Sequence, residues 1–377
     1  MPSKAPAAKF WTVVDADGHV RETTKGAVPW QDLVPERYRS QLPQWMPFDT
    51  GGGRFYLDGH LWPPPYGNHS MKGKDIDSVH ASHPGMWDPK LRLPDMDAEG
   101  IDIAVLFGGG IALGASTIAD TGLGSAMAHA FNTWLAGYCK ASPERLKGVA
   151  ALNLADVEGA IGELERCVKE LGFVAVGMPP NLRGKNIGDE GFNPIFAAAE
   201  RLDVPVCSHM VGPIPGIAGH YLFFDGRART KFEDHCITQP FEEMIAIMSV
   251  VSGGALDRFP KLRVAFLEGN AGWLPWWMDR LDGHYASIGH QVACKAKPSE
   301  YMTGGQCYFS CEAEESTLPF VVERVGEDRM LYASDYWHFD TEYWGMVKKL
   351  KTYPGLTDSA RRKILGENAL RLYNLSS

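Results

Sequence analysis

The chain has 377 residues, of which 45% are hydrophobic and 22% charged, ordinary proportions for a soluble globular protein with one large domain or two ordinary ones. A formal net charge of −9 and the lack of any basic run argue against a nucleic-acid partner, and no apolar stretch reaches the ~18 residues of a membrane-spanning helix. The polar first nine residues lack the apolar core of a secretory signal, and seven scattered cysteines without a C-x-x-C spacing suit unpaired thiols in a reducing cytoplasm.

The first apolar run, Phe10 to Val14, closes in Asp15-Ala16-Asp17-Gly18-His19. Side chains alternate along a strand, so Asp17 and His19 point to the same side. A carboxylate and an imidazole placed together at a strand end are a natural pair of metal ligands. From there a β–α rhythm runs through the chain. The expected strands are Trp11–Asp15, Ile103–Phe107, Gly148–Leu152, Phe173–Gly177, Val204–Ser208, Arg263–Leu267, Cys307–Cys311 and Met330–Ser334. Helical stripes lie between them. One is Met127, Phe131, Leu135 and Tyr138 within 125–140; another is Met244, Ile245, Met248 and Val251 within 241–251. Trp273, Trp276 and Trp277 also share a helical spacing and fit core or interface packing.

Eight such units point to an α/β fold, a (β/α)8 barrel spanning residues 1–377 as a single domain. A doubly wound open sheet is the competing arrangement, but only closure brings polar strand ends to one point. The rhythm breaks over residues 21–90, where Gly51-Gly52-Gly53, Pro63-Pro64-Pro65 and four histidines show little periodicity. A stretch of that length following the first strand reads as a lid or specificity insert over the catalytic face. Its histidines, His60, His69, His80 and His83, are expected at the surface. A second excursion, Val211 to Gln239, follows the fifth strand on the same face.

Three later strands also end abruptly in ligand-type residues: the fifth at His209, the sixth at Glu268 and the eighth at Asp335, with His338 three residues on. In a barrel these ends converge. Burying Asp17, Glu268 and Asp335 together requires a compensating charge. A divalent cation held by Asp17, His19, His209, Glu268 and Asp335 supplies it. His235 is a further candidate ligand, although its polar segment, Glu233 to Cys236, equally fits a helix-start or surface histidine.

The segments Val14-Asp15-Ala16-Asp17-Gly18-His19, Arg258–Arg263 with Phe266–Gly269, Val322–Arg329 and Ala333-Ser334-Asp335-Tyr336 resemble the amidohydrolase superfamily. The similarity lies with the branch containing aminocarboxymuconate-semialdehyde decarboxylase and related aromatic-acid decarboxylases and hydrolases, and runs from Val14 to Leu372. It implies a distorted TIM barrel with a metal at its C-terminal mouth and assembly as a homo-oligomer, a dimer in the simplest case. By this likeness Asp17 and His19 stand at the family's first-strand His-x-His pair, His209 at its fifth-strand histidine and Asp335 at its eighth-strand aspartate. Glu268 stands where decarboxylases of this branch commonly carry a histidine. Both departures make the site more anionic and shift preference from zinc toward iron or manganese, in one ion or two.

The expected function is therefore a metal-dependent decarboxylase or hydrolase acting on a small carboxylated cyclic or aromatic substrate. Asp335 moves the proton, and His209 is grouped with it as catalytic. The alternative on the same scaffold is a non-heme iron oxygenase with one or two irons.

Overall fold

The computed structural model describes residues 11–22, 26–47, 53–62, 70–71, 74–75, 83–210, 230–338 and 340–376. His69, His80 and most of the second excursion lie outside the described residues. Eight parallel strands form one sheet in chain order: β1 (Val14–His19), β2 (Ile103–Phe107), β3 (Leu146–Ala151), β4 (Ala175–Met178), β5 (Val206–Ser208), β6 (Val264–Phe266), β7 (Cys307–Cys311) and β8 (Met330–Tyr332). Its two edges join. The amide of Asp335 donates to the Asp17 carbonyl at 3.0 Å, and the amide of His19 donates to the Tyr336 carbonyl at 2.9 Å. The barrel is thus nearly closed, and the open-sheet alternative falls away.

The first strand reaches further than expected. Pairing with β2 continues through Gly18 and His19, after a register shift between Asp15 and Gly18. Gly18 lies within this extension for a steric reason. A Cβ at Gly18 would lie 2.5 Å from Arg92 Nη2 and 2.7 Å from Asp15 Oδ2, so glycine lets a buried guanidinium approach the backbone.

Outside the barrel run α1 (Pro89–Glu99), α2 (Thr121–Cys139), α3 (Val157–Lys169), α4 (Lys231–Ser252) and α5 (Leu274–Ile288). Helix α4 starts ten residues before the apolar stripe expected there. Thr230 and Glu233 form a reciprocal capping box, which satisfies the first amides and draws the polar segment around His235 into the helix. Pro240 inside it does not end it.

The insert is less irregular than its composition suggests. Among the described residues, Gln44–Pro47, Gly53–Leu57 and His60–Trp62 form a small antiparallel sheet, whose strands are too short to show a period. The insert ends at Asp88, whose carboxylate caps α1. His83 departs from the surface expectation. It stacks on Trp337 at 3.8 Å, and its Nδ1 lies 2.8 Å from the Tyr336 hydroxyl. Inside the barrel Val14, Ala16, Val105, Phe107, Cys207 and Tyr308 pack together with Leu372 and Tyr373 from the chain's end. This rigid core carries the strand ends that form the site.

Candidate metal centre

Asp17 and His19 close β1, His209 follows β5 by one residue, and Asp335 follows β8 by three. One ligand-type atom from each of these four buried side chains lies within 4.8 Å of all the others. His19 Nε2 is 3.1 Å from Asp335 Oδ1 and 3.6 Å from Asp17 Oδ1. His209 Nε2 is 3.3 Å from Asp17 Oδ2. These are four of the five residues expected around one cation.

The hydrogen bonding around them is incomplete in a way that points to a ligand. Both Asp17 oxygens and His209 Nε2 are buried without a hydrogen-bond partner, which is uncommon for buried polar atoms. The other ring nitrogen of His209, Nδ1, lies 2.6 Å from the Met210 carbonyl and so carries the proton. Once Nε2 gives up its own proton to an incoming ion, that tautomer presents its lone pair beside Asp17, the arrangement that metal-ligating histidines adopt. Two carboxylates and two imidazoles suit a divalent transition ion such as manganese, iron or zinc.

The electrostatics agree. Burial pushes the Asp17 and Asp335 carboxyls up, Asp335 well above the usual range, and Glu268 raises both further. Burial alone would lower His209, but the charges of Asp17 and Glu268 overcome it and hold the imidazole up at about 10. The pocket is built for added positive charge.

Glu268 and His338 form a second, overlapping group with His19 and Asp335, again with one ligand-type atom from each within 4.8 Å of the rest. His338 Nδ1 is 3.2 Å from Glu268 Oε1 and 3.6 Å from Asp335 Oδ1, and its ring stacks on His19 at 4.3 Å. Glu268 meets His209 on the Nδ1 side, at 3.6 Å, rather than beside Asp17. Burial opposes its ionisation, but His209 and His338 hold it down at about 2. His235 belongs to neither group; its Nδ1 lies 3.2 Å from Asp340 Oδ2 and its Nε2 2.9 Å from the Gln239 amide. Glu268 and Asp335 both adopt left-handed backbone, with φ of +58° and +50°, a conformation uncommon for non-glycine residues.

Two supporting residues escape a sequence reading. Asp15 Oδ1 accepts from the Ser334 amide at 2.8 Å and its Oδ2 from the Ser334 hydroxyl at 2.6 Å, which ties β1 to β8 beside the ligands. Arg92 on α1 is fully buried, with Nη1 2.8 Å from the His19 carbonyl and its guanidinium 3.7 Å above the Tyr336 ring. Asp15 is visible in the first motif as the residue two before Asp17. Arg92 has no local signal, because its partners lie on the first strand and in the turn after the last.

Comparison with known proteins adds a family. The chain is 27% identical over 307 residues to 2-amino-3-carboxymuconate-6-semialdehyde decarboxylase of Dictyostelium discoideum, covering 80% of this chain and 79% of the relative. It is 29% identical over 312 residues to gamma-resorcylate decarboxylase of a Polaromonas species, covering 80% and 92%. The crystal structure of a dihydroxybenzoic acid decarboxylase from Polaromonas, with bound manganese and 2-nitroresorcinol, superposes with a TM-score of 0.69 at 22% identity over 97% of this chain and 98% of the other. The sequence profile of the amidohydrolase family matches residues 57–375, from midway through the insert to just past the last helix. Asp17 and His19 precede that match, so their place in the centre rests on geometry. On the extent of the match, the chain belongs to the amidohydrolase family.

Proposed function

We propose that the protein is a metal-dependent decarboxylase of a small aromatic acid carrying a hydroxyl next to its carboxylate. The observation that carries this reading is the buried set of Asp17 oxygens and His209 Nε2 without hydrogen bonds at the barrel mouth, in a chain whose relatives are carboxylate decarboxylases, one of them a gamma-resorcylate decarboxylase. Asp17, His19, His209 and Asp335 hold the ion, with manganese the first to test because the Polaromonas structure binds it. When bound, the ion supplies a Lewis-acid anchor for the substrate carboxylate and its neighbouring oxygen.

The chain's own groups do the rest. Asp335, which follows the eighth strand and lies against His19 and His338, is the group placed to hand the proton to the ring carbon. The carbon–carbon bond to the carboxylate then breaks, its electron pair stays with the ring, and carbon dioxide leaves. Water restores the Asp335 proton. His338 stacks on His19, approaches the same Asp335 oxygen and orients the carboxyl. The two relatives favour this chemistry over hydrolysis and over the oxygenase alternative. In this reading the barrel is one domain, and residues 21–90 select the substrate over its mouth. The enzyme acts as a homodimer in the cytoplasm, a reducing compartment that suits seven unpaired cysteines. No helix among the described residues is long and apolar enough to cross a membrane.

The test is carbon dioxide release from 2,6-dihydroxybenzoate and 5-carboxyvanillate by manganese-loaded protein. Turnover that Asp335→Asn lowers by at least ~100-fold supports the reading, in line with the loss of a general acid. Undiminished turnover in that variant, or none in the loaded wild type with either acid, overturns it.

A further inference from the structure

The inward-facing side chains of β7 run Tyr308, Ser310, Glu312. Tyr308 packs inside the barrel with Leu267 and Leu331, and Ser310 Oγ accepts from the Glu268 amide at 3.0 Å. Alternation puts Glu312 next in that column. It stands one residue beyond the end of β7 at Cys311, as His209 stands one beyond β5. Besides burial and Glu268, the charges of Asp17, Asp340 and Glu312 hold the Asp335 carboxyl up, so Glu312 looks into the same mouth.

Its surroundings offer acceptors and few donors. Glu315, three residues on, is satisfied by backbone: Oε2 accepts from the Ala271 and Gly272 amides at 2.8 Å each, and Oε1 from the Glu312 amide at 2.9 Å. The half-buried Glu312 carboxyl has the Asn270 side chain. The charges that act on it most belong to acids; burial, then Glu315 and Asp340, hold it up at about 7. The imidazoles of this side are engaged elsewhere, His338 with Glu268 and His235 with Asp340, each at 3.2 Å. A carboxyl in such a place is stabilised by a hydrogen-bond donor brought in from outside.

We propose that Glu312 is a specificity-determining residue that accepts a hydrogen bond from a donor substituent, an amino or hydroxyl group, on the substrate ring beyond the carboxylate and its neighbouring oxygen. This rests on the proposed function for the seat of the acid and names what else the substrate carries. A site built around an acceptor discriminates sharply, because an analogue with a methyl group in place of the donor leaves the carboxyl unpaired and desolvated. The competing role for Glu312 is a rim carboxylate that faces water and touches no ligand.

Amino and methyl groups are close in size, so matched salicylates isolate the donor. The experiment is calorimetric titration of the manganese-loaded full-length protein with 3-, 4- and 5-aminosalicylate and with the methyl analogue of each. At one ring position or more, the amino compound is expected to bind at least ~10-fold tighter than its methyl partner. Glu312→Leu is expected to bring that ratio to one or below, and Glu312→Gln, which keeps an acceptor oxygen, to retain part of it. The ratio is taken within one protein, so a general loss of affinity in a variant does not disturb it. Glu312→Ala reads the same ratio if the leucine variant does not fold. Wild-type ratios near one at all three positions overturn the inference, as does a preference that survives in the leucine or alanine variant, or no binding by any of these compounds. The functional reading is tested apart from this, by turnover. Donor preference without carbon dioxide release leaves the role of Glu312 standing alone, and carbon dioxide release without donor preference leaves only the decarboxylase.

Discussion

Asp15 and Asp17 sit two positions apart on β1, and both are buried, yet the protein treats them differently. Asp15 has its oxygens occupied by Ser334 and its charge faced by Arg92, with Nη2 3.9 Å away; burial outweighs these and holds it up at about 6. Asp17 has neither oxygen occupied. A residue kept for folding is expected to be satisfied within the fold, and one kept for a ligand is not. Asp17→Asn should therefore separate binding from stability. It should abolish manganese binding, and in the presence of a chelator it should leave stability within about 1 kcal/mol of the wild type, because His209, 3.3 Å away, gives up its proton once the carboxylate facing it is gone. Thermal melts in chelator check this, and a fall in Tm would mean that Asp17 is structural. At this scale the ligand atoms were legible because each ends an apolar run in a polar residue. Glu268 was legible as a polar strand end at the same mouth, but not its placement on the Nδ1 side of His209, since which side of the ring it meets is a fact of three dimensions. Arg92 was not legible at all, because nothing in α1 marks the one arginine that Gly18 admits.

Helices α2 and α3 meet through one carboxylate. Glu163 accepts from His129 Nδ1 at 2.9 Å, from Arg166 Nη2 at 2.6 Å and from Asn132 Nδ2 at 2.8 Å. Asn132 in turn bonds both backbone groups of Ala151 on β3. Burial would raise the Glu163 pKa, but these donors hold it down at about 2. Its folded value is below the unfolded one of ~4.3, so the stabilisation is complete above that value and fades as pH falls toward 2. Glu163→Gln should cost about 1–3 kcal/mol at pH 7 and progressively less at pH 4 and below. Denaturant melts at the two pH values check it, and a difference that grows on acidification would contradict the assignment. Elements were legible where a stripe or an alternation ran for several turns, as in α2. They were missed where local chemistry set the boundary: a capping box started α4 early, and three- to five-residue strands in the insert were too short to carry a period.

The barrel as a whole was legible from the repetition of strand and helix, and its closure from the need to gather polar strand ends. The structure adds that closure and ligation occur at the same place. The backbone bonds joining β1 to β8 belong to Asp17, His19, Asp335 and Tyr336, three of them candidate ligands and the fourth the neighbour of one. Metal should thus tighten the seam. At a free manganese concentration about 100 times Kd, stabilisation of roughly 2.7 kcal/mol is expected by mass action. Hydrogen exchange at the His19 and Asp335 amides should slow more than at the β4–β5 ladder. Equal slowing across all strands would show that the ion stabilises the fold without acting on the seam.

His19 and Asp335 are 316 residues apart in sequence, and the contact between them is among the last that synthesis permits. A ribosome must deliver nearly the whole chain before the first and last strands can meet, and contacts of such separation form late and slowly. The cation pocket cannot serve as a seed around which the nascent chain organises. Metal loading is instead a certificate of completion: a chain truncated before β8 has no pocket to fill, and cofactor uptake by newly made protein counts only those molecules whose ends have found each other.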